Sequence, residues 1–131
     1  MDSRVIYITN CTRRKDPHPV NILSAVERYL GKNIKTVYDI ALNHDREMFI
    51  LSGKFGLIHS DELIPDYDKL LFSEDVKDLV KLVKQKLIQA KVKEVVFYSN
   101  GVHHDANLDP YHATIEYACE ELNIDLTFVS I

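Results

Sequence analysis

The chain has no tryptophan, two cysteines, four glycines and four prolines in 131 residues. Cys11 and Cys119 match neither the spacing of a zinc site nor the density of a disulfide scaffold, so both read as free thiols. So little glycine and proline leaves no flexible linker, collagen-like repeat or low-complexity stretch. No run approaches the roughly 18 apolar residues of a membrane span. The apolar run after Met1-Asp2-Ser3-Arg4 is too short for a signal peptide, so a cytoplasmic chain without membrane contact is expected. Basic residues are not in excess either: 16 against 20 acidic ones leave a formal charge of −4. That excludes a protein that coats nucleic acid by bulk charge, and leaves room for a local basic patch.

What is present is the balance of one compact domain, with 46% hydrophobic and 27% charged residues over positions 1–131. Four short runs are rich in β-branched and aromatic residues: Val5 to Thr9, Met48 to Ser52, Glu94 to Ser99 and Leu126 to Val129. Each is nearly continuous in hydrophobicity, the pattern of a strand covered on both faces. Helical spacing lies between them. Ile22, Leu23, Val26, Tyr29 and Leu30 precede Gly31 as a stop signal. Ile34, Val37, Tyr38, Ala41 and Leu42 follow a helical period, although Thr36 to Ile40 also suits a strand. From Ser73 onward, Val76, Leu79, Val80, Val83, Leu87 and Ala90 form one stripe, with Glu74 and Asp75 at the positive end of the helix. Asp109 reads as an N-cap before Pro110, and Tyr111, Ile115, Ala118 and Leu122 as an inner face. Alternating strands and helices imply an α/β fold: one three-layer domain on a four-stranded parallel sheet, in the order 2-1-3-4. Growth of such a sheet reverses beside its first strand, which opens a crevice at the carboxyl ends of the strands.

Chemistry is therefore expected just after the strands. Asn10-Cys11-Thr12-Arg13-Arg14-Lys15 follows the first, Gly53-Lys54-Phe55-Gly56-Leu57 the second, and Asn100-Gly101-Val102-His103-His104-Asp105 the third. Arg13, Arg14 and Lys15 suit an anion at a strand end, Arg14 and Lys15 being the assigned contacts; a solvated basic run is the plainer reading. Cys11 beside these cations is a candidate nucleophile, or a small hydrophobe closing the strand. Lys54 suits an anion partner or an amine nucleophile, and equally an ordinary surface lysine. Gly56 implies a positive φ or a close approach of a ligand to the backbone, and Ser52, Asn100 and Gly101 are further candidate ligand contacts at strand ends. The stretch from Gly53 to Phe72 is long for a connection and reads as a binding loop, with Tyr67 stacking on a flat ligand and Asp68 supplying polar recognition. A packed tyrosine and a capping aspartate account for that pair almost as well. His103, His104, Asp105, Asp109 and His112 are of metal-ligand type, but no two histidines stand four apart on one helix, and no metal is assigned.

Two of these stretches resemble the signatures of a small-domain family. Asn10 to Lys15 is similar to Ser-Cys-x-x-x-Lys, with Asn10 in place of the serine. Ile50-Leu51-Ser52-Gly53-Lys54-Phe55-Gly56-Leu57 is similar to Ile-Leu-Ser-Ala-Lys-Tyr-Gly-Leu, with Phe55 in place of the tyrosine. Ile64 and Tyr67-Asp68 continue the pattern, and the second signature resembles that of YaaA-like peroxide-stress proteins. The resemblance implies a nucleic-acid or nucleobase connection. Some relatives accompany 7-deazaguanine modification of DNA, one being associated with hydration of a nitrile on the modified base. YaaA-like proteins are linked to DNA protection during oxidative stress. By matching position, Cys11, Lys15, Ser52, Lys54 and Tyr67 would line the site. The expectation is a crevice that binds or modifies an anionic small molecule or nucleic-acid component. Cys11 and Lys54 would be its catalytic groups, and Asn10, Arg14, Lys15, Ser52, Gly56, Tyr67, Asp68, Asn100 and Gly101 its ligand contacts. A non-catalytic module that binds a modified base is the alternative, and the sequence names no cofactor.

Overall fold

The computed structural model describes residues 4–10, 23–24, 32–53, 55–64, 73–99 and 109–131. The sheet is built from β1 (Val5–Asn10), β3 (Glu47–Ser52), β4 (Gly56–His59), β6 (Glu94–Ser99) and β7 (Asp125–Ser130), in the order β4-β3-β1-β6-β7. β2 (Leu23–Ser24) and β5 (Leu63–Ile64) form a separate two-residue antiparallel ribbon. The helices among the described residues are α1 (Lys32–Asn43), α2 (Val76–Gln89), entered through a 3-10 turn at Ser73–Asp75, and α3 (Asp109–Leu122).

The expected architecture needs correction at several points. The sheet has five strands and is mixed, not four-stranded and parallel. The four strands foreseen do form a parallel block in the foreseen order, but β4 adds an antiparallel edge, with Ser52 opposite Gly56 and Phe49 opposite His59. Gly56-Leu57-Ile58-His59 is too short to carry a period of its own, and its pairing with β3 makes it a strand. The described part of the stretch after Gly53 is thus a hairpin return followed by β5, and positions 65–72, with Tyr67 and Asp68, lie outside the described residues. Leu23 and Ser24, expected in a helix, pair instead with Ile64 and Leu63; a tertiary partner outweighs local periodicity there. Asp109 is the first helical residue of α3 and not a residue preceding it.

Side-chain alternation on the strands divides the core into two layers. Ile6, Ile8, Phe49, Leu51, Val95 and Phe97 face α2 and α3, where Leu79, Val83, Leu87, Ile115 and Ala118 meet them. Tyr7, Met48, Ile50, Ile58 and Tyr98 face Ile34, Val37 and Ala41 of α1. α1 is a helix despite its β-branched residues because Ile34, Val37 and Ala41 fall on one side and are all fully covered. This is the three-layer arrangement, with one helix on one face and two on the other among the described residues. β7 departs from the doubly covered pattern. Its residues are exposed or half-buried throughout, as suits an edge strand on which α3 is the main helical neighbour among the described residues.

Candidate functional site at the carboxyl edge of the sheet

β1, β3 and β6 run parallel, so Asn10, Ser52 and Ser99 end their strands at one edge of the sheet. Chain growth reverses at β1, which passes on one side to β3 and on the other lies beside β6. The switch point therefore falls between Asn10 and Ser99, and these two side chains are joined there: Ser99 Oγ donates to Asn10 Oδ1 at 3.3 Å. Alternation turns both toward the α3 layer, where His112 in the first turn of α3 places Nε2 2.9 Å from Ser99 Oγ.

Ser99 has one hydroxyl proton to share between Asn10 and His112, and two proton arrangements suit that pair. If Ser99 donates to Asn10, His112 carries its proton on Nε2 and donates to Ser99. If the Asn10 amide is turned, its Nδ2 donates to Ser99, and Ser99 donates to an unprotonated Nε2. Either way the three groups form one polar chain across β1, β6 and α3. Burial holds the His112 imidazole below its ordinary pKa of 6.5, against the opposing pull of Glu116 and Asp109. Neutral imidazole is the form that can take a proton from a hydroxyl or a bound ligand. The ring stands between Phe97 and Phe128, with centroids 5.5 and 5.4 Å away. That apolar box fixes its orientation and accounts for the desolvation.

The other strand-end residues have different surroundings. Ser52 is fully buried and, by alternation with Met48 and Ile50, belongs to the α1 face, so it does not join Asn10 and Ser99. Its Oγ accepts the Phe55 N–H at 3.1 Å and thereby closes the turn from β3 to β4. Gly56 has φ +78°, and a Cβ there would stand 3.0 Å from Leu82 Cβ on α2. The positive φ is therefore met, and the close neighbour of this glycine is a packed helix and not a ligand. Tyr98 also lies on the α1 face, its ring 5.2 Å from that of Tyr7. Burial, with the Tyr7 phenol beside it, raises its pKa. Cys119 is buried on α3, and burial pushes its thiol up to about 12, which makes it a packing residue. Cys11, Arg14, Lys15, Lys54, Tyr67, Asp68, Asn100, Gly101, His103, His104 and Asp105 lie outside the described residues. Among the described residues no three His, Cys, Asp or Glu side chains are grouped to hold a metal.

At this strand end the sequence points to Asn100 and Gly101 and not to Ser99, and it marks His112 only as a residue of metal-ligand type. A signal for Ser99 was available. It ends a buried run with a polar residue, as Asn10 does. His112 carries no such mark, since its partner is supplied by the crossover from β6 to α3.

Fold and edge together define a three-layer α/β domain with a polar site at the carboxyl ends of its central strands. The chain belongs to the family of unknown function designated DUF6884, which it matches over residues 6–125. No curated protein is significantly similar to it. The crystal structure of AF0587, a protein of unknown function, is similar in fold, with a TM-score of 0.52 and 16% identity; the match covers 98% of this chain and 38% of that one. The chain thus spans well under half the length of that relative, and at this identity the likeness concerns the fold alone. No helix among the described residues is long and apolar enough to cross a membrane.

Proposed function

We propose that the carboxyl edge of the sheet binds an anionic ligand of nucleotide or nucleobase type, with Asn10, Ser99 and His112 as the polar floor of the site. The observation that carries this reading is the hydrogen-bonded chain from Asn10 through Ser99 to His112, placed at the switch point of the sheet. Three features support the ligand class. An amide, a hydroxyl and a neutral imidazole suit the mixed donors and acceptors of a base edge. The basic run Arg13-Arg14-Lys15 follows Asn10 closely in sequence and suits a phosphate or carboxylate. The resemblance to YaaA-like proteins and to domains that accompany 7-deazaguanine modification points to the same chemistry.

In this reading Arg14 and Lys15 hold the anion, Tyr67 stacks on the flat part, and Asp68, Asn100 and Gly101 add polar contacts. Lys54 polarises the reacting group and Cys11 is the nucleophile, with His112 available to accept a proton. Thermal unfolding with nucleotides, free bases and inorganic phosphate at about millimolar concentration tests the binding, since a ligand specific to the native form must raise the midpoint. At least one nucleotide or base is expected to do so, and Ser99→Ala is expected to weaken its binding about tenfold, the worth of one buried polar contact. Absence of any shift across the set overturns the reading. Turnover that is lost in Cys11→Ser or Lys54→Ala separates an enzyme from a non-catalytic module, in which binding occurs and the ligand is recovered unchanged.

A further inference from the structure

β7 is the edge of the sheet on the side of α3, and its pairing with β6 fixes which of its backbone groups are left over. Asp125 N–H donates to Lys93 O at 3.3 Å, and Ile131 N–H donates to Ser99 O at 3.1 Å. In a parallel ladder the N–H and C=O of one residue point to the same neighbour, and alternate residues point oppositely. Asp125, Thr127, Val129 and Ile131 therefore address β6. Leu126, Phe128 and Ser130 turn both backbone groups outward, and among the described residues no strand receives them.

Among the described residues this edge shows none of the usual safeguards. It contains no proline or lysine, its register with β6 is unbroken over six pairs, and its one charge is Asp125 at the start. Phe128 on it is 44% exposed. The three outward residues are spaced symmetrically about Phe128, so the edge is complementary to itself under a two-fold axis. We infer that β7 pairs antiparallel with β7 of a second copy, with Phe128 on the axis and Leu126 opposite Ser130. All three pairs are then of the hydrogen-bonded kind, in which two residues exchange both bonds, and six intermolecular bonds result. Asp125 comes opposite Ile131, so the two Asp125 side chains do not face each other.

The two sheets become one ten-stranded sheet, and the Phe128 side chains meet on the face that carries α3. Phe128 already forms one wall of the box around His112, with ring centroids 5.4 Å apart. The partner's Phe128 then covers the open side of that wall, and dimerisation is coupled to the surroundings of His112. A six-residue strand pair is a small interface, so the dimer is expected to be weak and concentration-dependent.

Sedimentation equilibrium of the full chain over roughly 1 µM to 1 mM tests this, with the mean mass expected to rise toward twice the monomer value. Phe128→Pro removes an outward N–H and leaves the β6–β7 ladder intact, and Phe128→Lys sets two ammonium groups together on the axis. Both are expected to remain monomeric across the range. Hydrogen exchange on the unaltered chain gives a readout that needs no variant. Raising the concentration should slow the Leu126, Phe128 and Ser130 amides about tenfold or more while Thr127 and Val129 stay as they were. A chain that is monomeric throughout, a dimer that survives both substitutions, or protection that fails to alternate along β7 overturns the inference. The first outcome would also follow if a peptide from another protein were the occupant of this edge.

Discussion

Gly56 is where one atom has the clearest consequence. Its φ of +78° is a conformation that side chains rarely adopt, and the added Cβ of alanine would press on Leu82 at 3.0 Å. Leu82 Cβ is held by the backbone of α2, so the contact is relieved only by moving the helix or the turn. Gly56→Ala is expected to lower stability by about 1–3 kcal/mol, the sum of left-handed strain and a tight contact. A urea midpoint unchanged from that of the parent would mean that the turn after Ser52 has another conformation open to it. His112 is the second residue with a sharp expectation. Its imidazole is held below 6.5 in the folded chain and returns to that value on unfolding. The unfolded chain therefore binds the extra proton, so the His112 contribution is complete above pH 6.5 and is lost as pH falls through the lower, folded value. His112→Gln keeps a side chain able to bond Ser99 and removes the titration. Stability measured between about pH 5 and 7 should fall less steeply toward acid in this variant than in the parent. Superimposable pH profiles would assign the acid sensitivity to other groups.

The helix ends follow one rule, despite the scarcity of glycine. α1, α2 and α3 are each followed by a residue with φ near +55°, namely Asp45, Lys91 and Asn123. After α2, Lys91 N–H reaches Ile88 O at 3.0 Å and Val92 N–H reaches Leu87 O at 3.1 Å. Arg46 to Ala41 and Ile124 to Cys119 repeat the longer bond, at 2.8 and 2.9 Å. These are Schellman closures, which usually place glycine at the left-handed position. Lysine bears the steric cost there with no side-chain compensation, so Lys91→Gly should raise stability by about 0.5–1 kcal/mol. A lower urea midpoint would show that Lys91 makes a contact worth more than the strain. The same closures explain what was legible in the sequence at this scale. Strands were readable because a run covered on both faces is apolar at every position, as in Ile6-Tyr7-Ile8. Helix stops were harder, since they rest on backbone bonds that any residue can make. β4 and the β2–β5 ribbon were illegible for a related reason: two to four residues define a strand only through a partner elsewhere in the chain.

For the whole molecule, the decisive arrangement is that one sheet serves two cores. Asn10 and Ser99 are 89 positions apart, and only the register of β1 against β6 brings them within a hydrogen bond. The edge on which the site lies could therefore be read from the strand order, whereas its membership depended on which face each terminal residue takes. Ser52 and Ser99 each end an apolar strand, yet alternation sends them to opposite layers. The same sharing bears on how the molecule unfolds. The α1-side core of Ile34, Val37, Met48 and Ile50 and the core under α2 and α3 are built on the same backbone ladders. Neither layer can then lose its strands while the other keeps them. Ile50→Ala, which removes a fully buried side chain from the α1 side alone, should cost about 2–5 kcal/mol. That loss is expected in the slowest-exchanging amides of α2 and α3 as fully as in those of α1. Were the layers separate units, only α1 and its facing strand residues would lose protection. The helices on the far side would then exchange at their original rates.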